Sequence, residues 1–380
     1  MRILDRYVLK NFFVPFLLCL LGFIAIWLVF DLSDNGPDFI EAKVSPARVG
    51  LFYATQFPAI AVICLPVGLL LALLYSLSRM SRSNEIISML TAGRSVTRIL
   101  LPLIGVGLLA TAASFALNYK YAPHAEDAKK TLLEQITKGK EKGSQLEAQL
   151  FRNRAGNRTW FVQTMKKGEN ILHGIHVIQQ DAESNIITKW YARRAVFDPA
   201  TATWDFQRGK TVNFDTEGNI TGEDLWLDGN RKIEGWTETP WRIASSNLEA
   251  ANLSIPELRD YVKFNADFPE TQLAPYRTHL QYRWALPWSC FVVIFIAAPL
   301  GIVYSRRGVL AGVASSIFIF FGMIFLTNLF LALGKGDRIS PTVAAWTPNL
   351  IFALIGFFLL YLRSTNRELP KLGFKKSRRG

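Results

Sequence analysis

The chain has 380 residues and a net charge of +13; half of its residues are hydrophobic, 19% are charged, and its mean hydropathy is +0.18. Apolar, charge-free blocks lie at both ends around a polar middle stretch, and this composition excludes a single soluble domain, a fibrous repeat and a disulfide scaffold. Residues 119–283 carry a balance of only +1 and the rest carry +12, so the basic excess belongs to the apolar ends, which excludes a nucleic-acid-binding domain.

Six stretches are long and apolar enough to cross a bilayer, which takes about 20 residues in a helix. In chain order they are 11–30, 51–77, 96–117, 284–304, 309–333 and 343–362. Prolines lie in or beside several of them, and membrane helices tolerate proline where neighbouring groups bond the freed carbonyls. The sequence therefore predicts three membrane-spanning helices in residues 1–118 and three in residues 284–380, numbered here as spans one to six.

The loop between spans two and three, at about residues 83–93, is predicted to form a short helix. Ser83 or Asn84 can cap this helix, Glu85 lies in its first turn, and a glycine can end it. Its apolar face, given by a spacing of three or four residues, consists of Ile86, Met89, Leu90 and Gly93. Two interpretations remain open from the pattern alone. The helix either lies on lipid or docks into a groove of a cytoplasmic partner, with Glu85 as its polar anchor.

From about residue 145 the hydrophobic period changes to that of short strands. Strand-like runs at 159–162, 176–178, 185–188 and 210–214 alternate with turn signals at 154–157, 167–170, 198–199 and 217–219. This pattern predicts an antiparallel meander, sandwich or jelly roll. A helical connector at 125–142 precedes it, and a helix capped by Ser254 follows it. Residues 119–283 are thus predicted to form a β domain with flanking helical connectors.

The basic residues of the short loops predict the orientation, because loops on the cytoplasmic side are rich in Lys and Arg. The loops and tail on one side hold 16 such residues, and the short loops on the other side hold 4. Both termini, including the basic tail, are therefore predicted to be cytoplasmic, and the β domain is predicted to lie outside. The cysteines lie only in spans, so no disulfide is expected in the β domain.

Sequence motifs for catalysis are missing. The chain has no phosphate-binding loop, no serine-nucleophile motif and no zinc-protease motif. His173 and His176 lie in a strand-like run, where an offset of three predicts opposite faces, so we expect no metal site. The span interiors also lack the acidic, Lys and His residues that ion-coupled carriers use near the bilayer centre. A secondary transporter is therefore disfavoured, and no cofactor is expected.

Two motifs and the predicted topology resemble a known family. The Asn-Glu-Ile at 84–86 with the Ala-Gly at 92–93 is similar to the coupling-helix motif of the lipopolysaccharide-export permeases LptF and LptG. Residues 280–287, which include Arg283, and the Pro-Leu-Gly at 299–301 are similar to the fourth span of that family. The arrangement of three plus three spans around an external β domain matches as well, so the resemblance covers nearly the whole chain.

The resemblance implies the permease subunit of an ATP-driven exporter, which extracts lipopolysaccharide from the bacterial inner membrane and passes it to a periplasmic bridge. It implies as partners a cytoplasmic ATPase dimer (LptB-like), a homologous permease subunit, a single-span periplasmic bridge component (LptC-like) and lipopolysaccharide itself. The ATPase would supply the hydrolysis, so this subunit is expected to be non-catalytic, and the periplasmic domain would be similar to a jelly roll. The residues assigned to ATPase coupling are Asn84, Glu85, Ile86, Met89, Leu90, Gly93 and Arg94.

The resemblance also implies a lateral gate for lipid between spans one and five. Each span has large apolar side chains on one face, although a face that simply meets lipid tails has the same pattern. These residues are Phe16, Leu20, Phe23 and Trp27 in span one and Phe318, Phe321, Phe325 and Leu329 in span five. Family members hold lipid phosphates with basic residues near the outer end of span one. Here that region, at 31–41, is acidic, and the candidates are Lys43 and Arg48.

Aromatic residues of the β domain admit two interpretations, a groove for acyl chains or the filling of the domain core. They are Trp160, Phe161, Trp190, Phe197, Trp204, Phe206 and Phe214. Two further functions also remain open for the chain. The first alternative to the exporter is a membrane-embedded lipid-modifying enzyme, for which only the acidic region at 31–41 offers reactive groups. The second is a structural scaffold with a periplasmic β domain. Dependence of a partner's ATP turnover on Glu85 discriminates between these functions and the exporter.

Overall fold

The computed structural model describes residues 3–125, 128–129, 132–133, 145–166, 169–245, 249–302 and 308–365. The predicted connector at 125–142 lies mostly outside the described residues, and the basic tail beyond residue 365 lies wholly outside them. The chain divides into two compact units, one of helices from both ends and one built on a sheet. The first is Met1–Ile40, Tyr53–Ala125 and Arg277–Gly380, and the second is Glu41–Phe52 and Glu126–Tyr276.

The described helices confirm the predicted class of an α-helical membrane protein. Five of them are long and apolar enough to cross a bilayer, and a sixth span results when α7 and α8 are counted together. In chain order the helices are α1 (Ile3–Glu41), α2 (Pro46–Arg82), α3 (Glu85–Thr91), α4 (Val96–Lys120), α5 (Pro240–Ser245), α6 (Ile255–Phe264), α7 (Glu270–Ala285), α8 (Trp288–Gly301), α9 (Gly308–Lys335) and α10 (Pro341–Ser364).

The middle of the chain forms one antiparallel sheet of six strands in sequence order. Each strand-like run predicted from the sequence lies in or overlaps a strand. The described strands contain no crossover of the kind that a jelly roll has, so the meander is the predicted pattern that describes this sheet. The strands are β1 (Gln145–Asn153), β2 (Arg158–Lys166), β3 (Ile171–Gln180), β4 (Ile186–Asp198), β5 (Thr203–Phe214) and β6 (Ile220–Ile233).

Helix α1 is longer than the predicted first span. With 39 residues it is about 58 Å long at 1.5 Å per residue, well beyond the roughly 30 Å of the hydrocarbon core. The acidic region at 31–41, interpreted from the sequence as a loop, is therefore the last part of this helix. The Asn35 side chain donates to the Asp31 carbonyl at 2.9 Å, and Phe39 is buried with its ring 6.5 Å from that of Tyr53. These contacts hold the polar continuation in the helix.

Span four is broken where Pro287 interrupts it. Helix α7 ends at Ala285 and α8 begins at Trp288, with a bend of 50° between them. Proline has no N–H to donate, and its ring clashes with the preceding turn, so a bend here follows from the sequence. The break gives the fourth span two separate helical segments.

Helix α8 forms the centre of the helical unit, since the structure buries nearly all of its residues. A helix that is apolar all round lies either in a protein core or in a membrane, and the burial of α8 places it in the core of this unit. Small residues let its neighbours approach: a Cβ at Gly107 of α4 would overlap Ile294, and one at Gly356 of α10 would lie 2.8 Å from the Cβ of Phe295. Close packing at small residues is the usual basis of helix association in membranes.

The β domain has its own core, made mainly of aromatic and branched side chains on one face of the sheet. The helix α6 begins as predicted: Ser254 precedes it, Pro256 lies in its first turn, and the Ser254 N–H donates to Glu257 Oε2 at 2.9 Å. Buried Arg242 in α5 donates to Asp267 at 2.7 Å and to Asn265 at 2.9 Å. These bonds connect the short helices that follow the sheet.

Candidate coupling and lipid-handling sites

Helix α3, between the second and third membrane-spanning helices, is short and has defined ends. It begins after Asn84, whose φ of 58° places it in the left-handed region, and the Asn84 side chain makes no capping bond. It ends with Gly93 at φ 80°, where the Gly93 and Arg94 N–H groups donate to Leu90 O and Met89 O at 3.0 and 3.2 Å. This pair of bonds is the Schellman motif, and it fixes the direction in which the chain leaves the helix.

The predicted apolar face of α3 is turned into the protein. Ile86 is only 1% exposed and belongs to the core of the helical unit, and Met89 and Leu90 pack against the same core. The protein's own helical unit thus covers Ile86 fully and Met89 and Leu90 in part, and the role of this face as a docking surface for a partner stays a prediction. The exposed residues of the segment lie on its polar side and at its two ends. They include Asn84 before the helix and Gly93 and Arg94 after it.

Glu85 is half-buried and oriented by two hydroxyl groups. Ser83 Oγ donates to its Oε1 at 2.8 Å, and Tyr7 Oη of α1 donates to its Oε2 at 3.0 Å. The sequence proposed Ser83 as a helix cap, whereas the structure uses its hydroxyl to hold the glutamate. The pair with Tyr7 joins residues that are 78 positions apart.

A second contact attaches the start of α1 to α4, the helix that follows α3 in the chain. Arg98, in the first turn of α4, lies 3.2 Å from the Asp5 carboxylate, and both side chains are partly buried. Ser95 caps the start of α4, and its Oγ accepts from the Arg98 N–H at 3.3 Å. The first turns of α1 therefore contact α3 through Tyr7 and α4 through Asp5.

The predicted gate face of α1 is the covered face of that helix. Phe16 is buried, and Leu20, Phe23 and Trp27 are half-buried, while the residues between them are mostly exposed. Leu20 lies against Gly68 of α2, and the Trp27 ring lies 6.1 Å from that of Tyr53. This face packs on the chain's own second helix, and its role as a lipid gate stays a prediction.

The predicted gate face of α9 is open. Phe318 is 79% exposed and Phe321 is 64% exposed, and Phe325 and Leu329 are exposed as well. In a membrane-spanning helix such a face meets either lipid chains or another protein. The two predicted gate faces therefore differ, since that of α1 is covered and that of α9 is free.

The two candidates for lipid phosphates are both exposed. Lys43 lies between α1 and α2 with a φ of 50°, and Arg48 lies in the first turn of α2. They belong to the sheet-containing unit as the chain is divided, and the acidic residues before them are helical. Their role stays a prediction.

Two amide side chains bond the broken fourth span, and neither contact was predicted from the sequence. Pro287 leaves the Arg283 carbonyl without its usual donor, and Asn118 Nδ2 of α4 donates to it at 2.8 Å. Arg283 Nη1 in turn donates to Asn118 Oδ1 at 3.0 Å. The Ala285 carbonyl accepts from Asn349 Nδ2 of α10 at 2.7 Å. Asparagines in apolar spans, together with an intrahelical proline, are the signal that could have predicted these contacts.

The aromatic residues of the β domain mostly fill its core. Trp160, Trp204 and Phe206 are fully buried and Phe197 is buried, with the Trp160 and Trp204 ring centroids 5.0 Å apart. Trp190 is half-buried against Trp236, a residue that was not among those predicted from the sequence. The remaining two differ: Phe161 is exposed on the outer face, and Phe214 is half-buried with the Lys189 ammonium 4.9 Å from its ring.

Comparison with known proteins gives one result for nearly the full length of the chain. The model of the family described as lipopolysaccharide export system permease LptF/LptG matches residues 6–362. No curated protein matches the sequence.

Proposed function

The chain belongs to the lipopolysaccharide export permease family LptF/LptG, and from this premise we propose that it is the non-catalytic membrane subunit of an ATP-driven exporter. It takes lipopolysaccharide from the inner membrane and passes it to a periplasmic bridge. A cytoplasmic ATPase dimer supplies the hydrolysis. A homologous permease subunit and a single-span bridge component complete the assembly.

The orientation proposed for this function has both termini in the cytoplasm and the β domain in the periplasm. The division of basic residues between the two sides of the membrane supports it. In this orientation α3 lies on the cytoplasmic side, where an ATPase can reach it, and the sheet lies on the side to which the lipid is delivered.

The observation that carries the proposal is the construction of α3. Its apolar side is packed into the helical unit at Ile86, and its C-terminal turn is fixed by the bonds to Gly93 and Arg94. A loop would absorb the displacement that a bound ATPase imposes. A helix anchored in the core transmits that displacement to the spans it packs against.

Glu85 is suited to be the polar contact with the ATPase. The hydroxyls of Ser83 and Tyr7 each bond one carboxylate oxygen and fix its orientation. A carboxylate offers about four acceptor positions, so both oxygens can still accept from a bidentate arginine of the partner. The contacts of Tyr7 and Asp5 then connect the docking site to α1, the helix that carries one of the gate faces.

The open face of α9 supports a second permease subunit as a partner. Its aromatic residues, including Phe318 and Phe321, are exposed, and an apolar face in a two-subunit core is covered by the other chain. We propose that lipid enters where this face parts from the facing subunit. The covered face of α1 reaches the same path only if α1 separates from α2.

Substitution of Glu85 tests the coupling proposal. Glu85→Ala should leave the protein inserted and folded but weaken ATPase docking by about 2–5 kcal/mol, which is roughly thirtyfold or more, and should stop export. Tyr7→Phe removes only one orienting hydroxyl and should have a smaller effect in the same direction. The measurements are co-purification with the ATPase and lipid-dependent ATP turnover.

The control is Glu183→Ala, which removes an exposed acid from a turn of the β domain. It should dock the ATPase as the unmodified protein does. Full docking and full export by the Glu85→Ala variant would contradict the coupling role and leave Glu85 as a residue that stabilises the start of α3.

A further inference from the structure

A groove of about 490 Å³ lies between α1 and α2 near the ends of both helices that carry basic residues. Six residues from successive turns of α1 line it, together with two residues of α2. Those of α1 are Lys10, Asn11, Val14, Pro15, Leu18 and Cys19, and those of α2 are Tyr75 and Arg79. It is separate from α3 and from the predicted gate faces, and the function proposed above does not use it.

The groove has a polar end and an apolar end. Lys10 and Arg79 are exposed at the polar end, one from each helix, and Asn11 lies beside them. At the apolar end the groove is lined by Leu18, which is 67% exposed. Leu18 follows Lys10 by eight residues, which is about 12 Å along the helix at 1.5 Å per residue. The groove therefore combines two cations with an apolar continuation that runs along the membrane-spanning helices.

The two cations are available to a ligand. Among the described residues, neither Lys10 nor Arg79 forms an ion pair with an acidic side chain. The Asp5 carboxylate, the acid of the same helix end, is paired with Arg98. Tyr75 lies one turn deeper than Arg79 in α2, at a depth where tyrosine commonly meets lipid headgroups.

We propose that this groove binds one anionic phospholipid. The phosphate lies between Lys10 and Arg79, and one acyl chain follows Val14 and Leu18. Basic pockets between membrane helices on the cytoplasmic side bind anionic headgroups, and an apolar continuation distinguishes a lipid from a free phosphate. The lipid belongs to the leaflet at the basic ends of the helices. It would thus be a resident lipid that holds α1 against α2, and this role does not depend on what the protein exports.

Native mass spectrometry of the full chain tests the headgroup. The protein is released from bilayers of phosphatidylethanolamine and phosphatidylglycerol, and the retained lipid is identified. The unmodified chain should retain phosphatidylglycerol selectively. Lys10→Gln with Arg79→Gln should weaken this retention about fivefold per charge, roughly twenty-five-fold in all.

The matched control is Arg6→Gln with Arg82→Gln, which removes two exposed cations from the same two helices outside the groove. This variant should retain phosphatidylglycerol as the unmodified chain does. Equal losses in the two double variants, or no loss in either, would overturn the proposal. Displacement of the lipid by inorganic phosphate alone would also overturn it, because the site would then bind an anion and not a lipid.

A photo-crosslinking amino acid tests the acyl chain. Placed at Leu18 it should capture phosphatidylglycerol, and the capture should fall in the Lys10→Gln, Arg79→Gln background. Leu17 is similarly exposed, at 52%, but does not line the groove, so the same probe there should capture lipid without regard to headgroup. The same headgroup preference at both positions would show general contact with the bilayer and contradict a bound lipid.

Discussion

Glu238 and Arg158 form a buried ion pair in the β domain. The Glu238 side chain is fully buried, and Arg158 binds it through two bonds, Nε to Oε1 at 2.8 Å and Nη2 to Oε2 at 3.1 Å. Burial raises the pKa of Glu238, but the hydrogen bonds and charge of Arg158 lower it, and the net result is a pKa below the usual value of 4.5. The Arg158 guanidinium also lies 4.7 Å from the Trp236 ring.

This pair predicts that acid destabilises the β domain. A carboxyl group whose pKa is lower in the folded state contributes stability above its unfolded pKa and loses that contribution as the pH falls through the folded value. The unfolding midpoint should therefore decrease below about pH 4.5. Tryptophan fluorescence of the full chain in denaturant measures it, because Trp160 and Trp204 lie in the core of this domain.

Glu238→Gln should change this profile in a recognisable way. The variant should be less stable by about 3–5 kcal/mol at neutral pH, since Arg158 is left without its charged partner, and its stability should fall less steeply in acid. Glu183→Ala, in an exposed turn, should keep the steep profile. An identical acid profile in Glu238→Gln would mean that other carboxylates cause the loss.

At the level of single residues, the sequence indicated which residues stand out but not which residues they contact. Glu85 stands out in the sequence because it opens a short helix, but its contact with Tyr7 joins positions 78 apart and leaves no local pattern. For the seven aromatic residues of the β domain, the sequence left open whether they fill the core or line a groove for acyl chains. Only packing decides between these, and it buries Trp160 while leaving Phe161 exposed.

At the level of elements, the broken fourth span depends on side chains from two other helices. In lipid an unbonded carbonyl cannot turn to water, so each freed carbonyl at the Pro287 break needs a donor from the protein. Asn118 and Asn349 supply donors to Arg283 and Ala285 from opposite halves of the helical unit. The bend of 50° is thus held in place by specific bonds.

Removal of the Asn118 amide should destabilise the helical unit. Asn118→Leu keeps a similar volume but removes the donor to the Arg283 carbonyl and the acceptor of its guanidinium. We expect a loss of about 1–2 kcal/mol, the range of interhelical polar contacts in membranes, measured as a lower thermal midpoint in detergent. The matched control is Asn328→Leu in α9, because the Asn328 amide bonds its own helix at Ile324. Equal midpoints in the two variants would contradict the bracing role.

The predicted boundaries of the helices were placed by hydropathy, so the sequence located the apolar helices but not their polar continuations. Five of the six predicted apolar stretches each fall within one described helix, and the fourth is broken at Pro287. The prediction ended the first stretch at Phe30, before the acidic residues that start at Asp31. The helix continues because Phe39 finds a buried position, which hydropathy does not reveal. The apolar face of α3 was likewise found by its spacing, and only the structure assigns that face to the chain's own core.

At the level of the whole molecule, residues from both ends of the chain build one helical unit, and the sheet is an insertion between them. Asn118 and Arg283 meet although 165 positions separate them, so helices that precede the sheet in the chain pack against helices that follow it. A three-plus-three arrangement was predictable from hydropathy. The particular pairing of α4 with α8 was not, because it depends on close approach at Gly107.

The orientation of the whole molecule gives the last prediction, which rests on the uneven distribution of basic residues, 16 against 4. A cysteine at Ala92, exposed at the end of α3, should react in spheroplasts only with membrane-permeant thiol reagents. One at Glu183, in the exposed turn after β3, should react with impermeant reagents as well. The native cysteines give the background, since Cys64 and Cys290 are buried and Cys19 is half-buried. The reverse labelling pattern would show that the β domain is cytoplasmic. In that orientation α3 could not meet a cytoplasmic ATPase.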